Sequence, residues 1–122
     1  MDIGHWLLQE LARALRLSSA MNRITVVGDD TITAQARTYA EYRVFAALAR
    51  HTRSVRRVRV VLRHTDERGT CDKVTCVVTV SLEPAGSLRI RVRGPHVYAA
   101  INRAVERLGD ALGRRVEQRL SS

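Results

Sequence analysis

The hydrophobic period of this chain changes along its length, and the changes restrict it to a few folds. Between Val55 and Arg93 three segments alternate apolar and polar residues two by two, the signature of half-buried strands. The stretches on either side instead repeat apolar residues at helical spacing. Thr33 is placed to cap a helix from about Ala34 to His51, whose apolar stripe is Ala36, Ala40, Val44, Ala47 and Leu48, with Tyr39 flanking it. A second helix is predicted from about Val97 towards Leu120, burying Val97, Ile101, Ala104, Val105, Leu108, Leu112 and Val116. Gly109 and Gly113 lie off that stripe and weaken its last turns by ~1 kcal/mol each.

The strands are predicted at Ile24 to Val27, Val55 to His64, Lys73 to Leu82 and Leu88 to Arg93. Gly28-Asp29-Asp30, residues 65–70, residues 83–87 and Gly94-Pro95 supply the breaks between elements. The resulting order, β-α-β-β-β-α, gives the α+β class. Two amphipathic helices and an antiparallel set of strands must bury their apolar faces against each other, so a two-layer sandwich with both helices on one face of the sheet is expected.

At 122 residues the chain holds one domain of this size, which leaves residues 1–20 as an appendage. Ile3, Leu7, Leu11 and Leu15 recur at helical spacing over residues 1–17, and Leu17-Ser18-Ser19-Ala20 reads as a linker to a domain at 21–122. Trp6, Leu7, Leu8 and Leu11 could pack on the domain itself, on a second copy in a homodimer through residues 1–17, or on another protein. Asp2 and Glu10 balance Arg13 and Arg16, so the net charge of +9 belongs to the domain.

That charge is almost wholly arginine, with Lys73 the only lysine, and the isoelectric point is near 11.1. A guanidinium grips phosphate with a flat fork of donors, so the composition favours a nucleic-acid partner. Strand parity locates part of the charge. With Val58, Val60, Leu62, Val74, Cys76, Val78, Val80, Leu82, Leu88, Ile90 and Val92 facing the helices, the outer face carries Arg57, Arg59, Arg63, Lys73, Arg89, Arg91 and Arg93, with Arg23 in matching phase and no carboxylate. Like charges opposite one another on neighbouring strands repel, so a polyanion across the sheet would relieve them. No aromatic side chain falls on this face, so backbone and shape recognition is expected there rather than base stacking. The second helix adds Arg103, Arg107, Arg114 and Arg115, interrupted by Glu106, Asp110 and Glu117.

Other chemistries lack their residues. Cys71 and Cys76, four residues apart with His64 nearby, fall short of a zinc site; Cys76 has core parity and Cys71 is expected to be exposed. There is no glycine-rich phosphate loop, paired-carboxylate arrangement or nucleophile elbow, so no enzymatic activity, cofactor, metal or small-molecule substrate is expected. No apolar run approaches the ~20 residues that span a bilayer, and the N-terminus lacks a signal-peptide pattern, which points to the cytoplasm and away from membranes.

The run Val97-Tyr98-Ala99-Ala100-Ile101-Asn102, leading into Arg107-Leu108, resembles the second helix of the ribosome hibernation-promoting factor and ribosome-associated inhibitor family (sigma-54 modulation proteins). Arg37 to Val44 is similar to that family's first-helix pattern, and the likeness covers about residues 22–119. It implies a domain laid out like a double-stranded RNA-binding domain. It further implies binding to the small ribosomal subunit and its rRNA, with inhibition of translation under stress and in stationary phase. By position it implies that Arg37 and Arg43 on the first helix, and Arg107 and Arg114 on the second, face ribosomal RNA. The sequence departs from the family at Pro95-His96-Val97, Ala46 and Asp110. A free RNA- or DNA-binding domain with a non-ribosomal target, and a dimerising protein-interaction module, are the alternatives. Whether the sheet face or the helices meet RNA is left open at this level.

Overall fold

A computed structural model describes the backbone of residues 23–51, 53–65, 68–69 and 71–121, and the side chains as far as residue 115. The helix expected over residues 1–17, its linker and the dimer contact assigned to it lie outside the described residues, as does the side chain of Val116. The elements are β1 (Ile24–Gly28), α1 (Ala34–Leu48), β2 (Val55–His64), β3 (Val74–Leu82), β4 (Ser87–Gly94) and α2 (Val97–Ser121).

The four strands form one sheet in the order β1-β2-β3-β4. β2, β3 and β4 pair antiparallel, but β1 pairs parallel with β2, with Ile24 opposite Val58 and Gly28 opposite Leu62. The sheet is therefore mixed, not wholly antiparallel as the alternation suggested. The cause is α1: a helix between two adjacent strands carries the chain back to its starting end, so the second strand runs the same way as the first.

α1 begins where expected, the Thr33 hydroxyl accepting from the Ala36 amide at 3.1 Å. It ends a turn early, at Leu48, the last residue of its buried stripe. Ala49 and Arg50 beyond it are exposed, and a His51 N–H to Leu48 carbonyl bond of 2.8 Å turns the chain away.

The core lies between the sheet's inner face and both helices. Val58, Val60, Leu62, Val74, Cys76, Val78 and Val80 rise from the sheet to meet Ala36, Ala40 and Val44 of α1 and Ala100, Ile101, Ala104, Leu108 and Leu112 of α2, each buried. The alanines among them, Ala36, Ala40, Ala100 and Ala104, let the layers approach closely. Gly94 is the tightest point. A Cβ there would stand 2.6 Å from the Ala100 backbone nitrogen, so only glycine lets the end of β4 pass beneath the first turn of α2.

Val55 and Val58 both face inward although three residues apart, which strict alternation forbids. A register shift between Val55 and Arg57 absorbs the extra residue. Arg56, the residue so displaced, pairs with Glu83 at 3.1 Å. In the β1–α1 loop Asp29 accepts from the Thr31 hydroxyl and from the Thr31 amide, and these bonds hold its carboxyl below the ordinary carboxylate range. His64 Nδ1 lies 2.5 Å from the same hydroxyl, tying the end of β2 to this loop rather than to Cys71.

Candidate nucleic-acid interface

The register converts the arginines of the outer face into a pattern. Reading across β2, β3 and β4, the rows are Arg57–Ser81–Ser87, Arg59–Thr79–Arg89, Val61–Val77–Arg91 and Arg63–Thr75–Arg93. The arginines thus form two rails, one on β2 and one on β4, with a neutral floor of hydroxyls and methyls on β3 between them. Two strand spacings separate the rails, roughly 10 Å at the backbone. Lys73, exposed, stands at the entrance to β3, and Arg23 stands at the start of β1, its guanidinium donating to the Val55 carbonyl at 3.4 Å.

This register corrects the repulsion argument. No outer-face arginine of β2 is paired with one of β4, because β3 intervenes. At about 10 Å in water two unit charges repel by only ~0.4 kcal/mol before salt screening. The fold tolerates the rails without any ligand. The informative feature is how many of these arginines lack a partner. Among the described residues, Arg57, Arg59, Arg63, Arg89 and Arg91 make no side-chain hydrogen bond or ion pair. Thr75, at 8% exposure, is the one buried polar residue among the described residues, with Arg63 and Arg93 as its cross-strand partners. The rails flank a trough of about 600 Å³ with Val61, Val77, Thr75 and Thr79 on its floor and no carboxylate in its lining.

The arginines of the helix layer are used differently. Arg37 donates to the carbonyls of Gly28 and Asp29 at 3.1 and 3.2 Å, pinning the end of β1 to α1. Arg43 Nε donates to Asn102 Oδ1 at 3.3 Å. Arg103 donates to the Arg93 carbonyl at 2.7 Å and lies 3.7 Å from Asp72, while Arg107 reaches the Arg91 carbonyl at 3.5 Å. Arg115 is half-buried over Gly86, and Arg114 is exposed.

The bonds from Arg103 and Arg107 have a topological meaning. β4 is an edge strand whose even-numbered carbonyls turn toward β3, as the Lys73 N–H to Gly94 carbonyl bond shows. The carbonyls of Arg91 and Arg93 therefore face outward, and the two α2 guanidinium groups cover them. Each arginine spends one donor of five this way and keeps the rest for solvent or ligand. The basic helix residues and the sheet rail meet at this edge in one continuous belt, so the sheet and the helices are not separate surfaces on this side.

Sequence reasoning missed two features of the surface. Arg53 and Arg56, with Arg23, make a further basic cluster at the end of the sheet where β1 and β2 begin and β3 finishes, with Glu83 beside them. Tyr42 (68% exposed) and Tyr98 (38%) stand out from the helix layer. Tyr42 sits half a turn from the Ala40 stripe, so its exposure was readable from helical period alone.

A mixed four-stranded sheet backed by two helices, with a basic open face, defines a small α+β module. The chain matches the family model described as Sigma 54 modulation protein / S30EA ribosomal protein over residues 24–120, every element from β1 to α2, and it belongs to that family. It is thus of the ribosome-associated hibernation and modulation factors. Among solved structures it is similar to the N-terminal domain of Thermus thermophilus Protein Y, with 28% identity and a TM-score of 0.58, over 74% of this chain and 93% of that one. No curated protein matches it. No described helix is long and apolar enough to cross a membrane.

Proposed function

We propose that this protein is a non-catalytic cytoplasmic factor that binds the small ribosomal subunit, contacts its rRNA and inhibits translation, keeping ribosomes idle under stress and in stationary phase. The observation that carries this reading is the family match across the whole described domain, in a chain whose net +9 lies in that domain. The outer-face arginines, of which Arg57, Arg59, Arg63, Arg89 and Arg91 have no side-chain partner among the described residues, and the belt around β4 supply a surface on which phosphates replace counterions, a gain that does not depend on base sequence.

Sucrose-gradient sedimentation of extracts from stressed cells tests it. The protein is expected in the small-subunit and monosome fractions, released as salt is raised, and the purified protein is expected to slow cell-free translation. A protein that stays at the top of the gradient overturns the reading. Tight binding to naked duplex RNA with no preference for ribosomes would favour a non-ribosomal target instead. A chain beginning at Met21 is expected to sediment with ribosomes as the full chain does, because the family match begins at residue 24.

A further inference from the structure

We infer that the outer face of the sheet is a binding site for a single RNA strand, seated along β3 between the two arginine rails and held by its backbone. The inference deepens the reading above, resting on it for the choice of nucleic acid. Its test needs no ribosome, so either can fail alone.

Four observations carry it. On β4 the arginines stand on alternate residues, a repeat of about 6.6–6.8 Å that is close to the repeat of an extended phosphodiester chain, and on β2 Arg57 and Arg59 share that repeat before Val61 interrupts it ahead of Arg63. In the row Arg59–Thr79–Arg89 the rails face each other across β3, so guanidinium groups can close on one strand from both sides. Arg59, Arg63, Arg89 and Arg91 have no side-chain partner among the described residues, so no internal bond must break for a phosphate to bind. The floor offers the Thr79 hydroxyl and the methyl groups of Val61 and Val77, which suit a ribose edge and offer no aromatic ring for stacking.

The same geometry argues against other polyanions. An acidic peptide laid on a sheet face would leave its amides without partners, since the face presents only side chains. Peptides add to sheet edges instead, and the β4 edge is covered by Arg103 and Arg107. A duplex is wider than the trough and would rest on its rims, leaving the floor unfilled.

Fluorescence anisotropy of a labelled twelve-residue oligouridylate with the full-length protein decides the matter. The variant R59S/R89S/R91S is expected to bind at least about tenfold more weakly at low salt. The slope of log affinity against log salt should fall by about 2, three phosphate contacts at roughly 0.7 each. The variant R50S/R53S/R68S removes the same charge from exposed positions that do not line the trough and should bind within about twofold of the parent. Thr79→Glu, which places a carboxylate on the floor while keeping every arginine, should also weaken binding. Circular dichroism and thermal unfolding confirm that each variant is folded. Equal loss in both triple variants, or no loss in the first, overturns the site. Preference for duplex RNA of the same length, or displacement of the oligonucleotide by polyglutamate at lower concentration than by unlabelled oligouridylate, overturns the ligand.

Discussion

The Tyr39 hydroxyl donates to Asn102 Oδ1 at 2.7 Å, joining α1 to α2 across 63 positions of sequence. Arg43 Nε reaches the same oxygen at 3.3 Å, and the Tyr98 ring packs edge-on against Tyr39 with centroids 5.1 Å apart. Tyr98 and Asn102 belong to the run that carries the family resemblance, and the structure gives that run a physical task. It locks the two helices at one spacing over the sheet, and so fixes where α2 presents Arg103 and Arg107.

The lock should be measurable as a coupling. Asn102→Ala leaves the half-buried Tyr39 hydroxyl and Arg43 without their acceptor and is expected to cost about 1–2 kcal/mol. Tyr39→Phe should cost about 1 kcal/mol alone and much less in the Asn102→Ala background. Urea unfolding of the four proteins gives the cycle, and strict additivity would show that the bond carries no stability.

Glycine substitutions should split by sign. Gly94→Ala drives a methyl group into the Ala100 backbone and is expected to lose about 1–3 kcal/mol, because neither β4 nor the first turn of α2 can move aside cheaply. At Gly109 and Gly113 nothing lies within 4 Å of an added Cβ, and both sit inside α2. Alanine at either should gain roughly 0.5–1 kcal/mol by restricting the unfolded chain and improving helix propensity. Thermal midpoints that moved the same way in all three would contradict this account.

How much of this was legible beforehand depends on which physical property each feature rests on. Parity rests on side-chain alternation, so Val58, Val60, Leu62 and the arginines between them could be assigned to faces from sequence. Alternation has no direction, however, and the parallel pairing of β1 had to come from the intervening helix, a cue the antiparallel expectation passed over. The shift at Arg56 was visible in the three-residue interval between Val55 and Val58. That β3 separates the arginine rails requires the strand order, which periodicity does not contain. The carbonyl bonds of Arg103 and Arg107 depend on which carbonyls of β4 face outward. Neither composition nor spacing records that, and so the basic sheet face and the basic helix surface looked separate although they share an edge.

The two thiols should differ in reactivity. Cys71 is exposed, whereas Cys76 is 1% exposed in the core and its thiol is pushed up to about 12 by burial. A chromogenic disulfide reagent at neutral pH is expected to modify one thiol at once and the second only as fast as the domain opens. The unfolded chain releases the Cys76 proton near 9.0 and the folded chain near 12, so the folded state binds more protons between those values. Stability should therefore fall as pH rises from about 9 to 12. The Cys76→Ala protein should lack that part of the decline, and identical pH slopes for the two proteins would rule the linkage out.

The covering of the β4 edge makes a prediction about association. An edge strand with open carbonyls and amides is a template for a second strand, and charged side chains are one means by which folded domains blunt it. Arg103 and Arg107 are exposed apart from their carbonyl bonds, so replacing both with serine should shift stability by less than about 1 kcal/mol. The same change uncovers the Arg91 and Arg93 carbonyls and removes two charges that repel an approaching copy. Sedimentation velocity over a range of protein concentrations should then show more self-association in R103S/R107S than in the parent. The excess should grow as salt screens the remaining Arg89, Arg91 and Arg93 rail. Because these arginines also border the belt that adjoins the trough, oligouridylate affinity should drop by only a few-fold, less than on removing the rail itself. A variant that stays as dispersed as the parent at every salt concentration would mean that the rail alone keeps this edge from pairing, and that the two carbonyl bonds have no part in it.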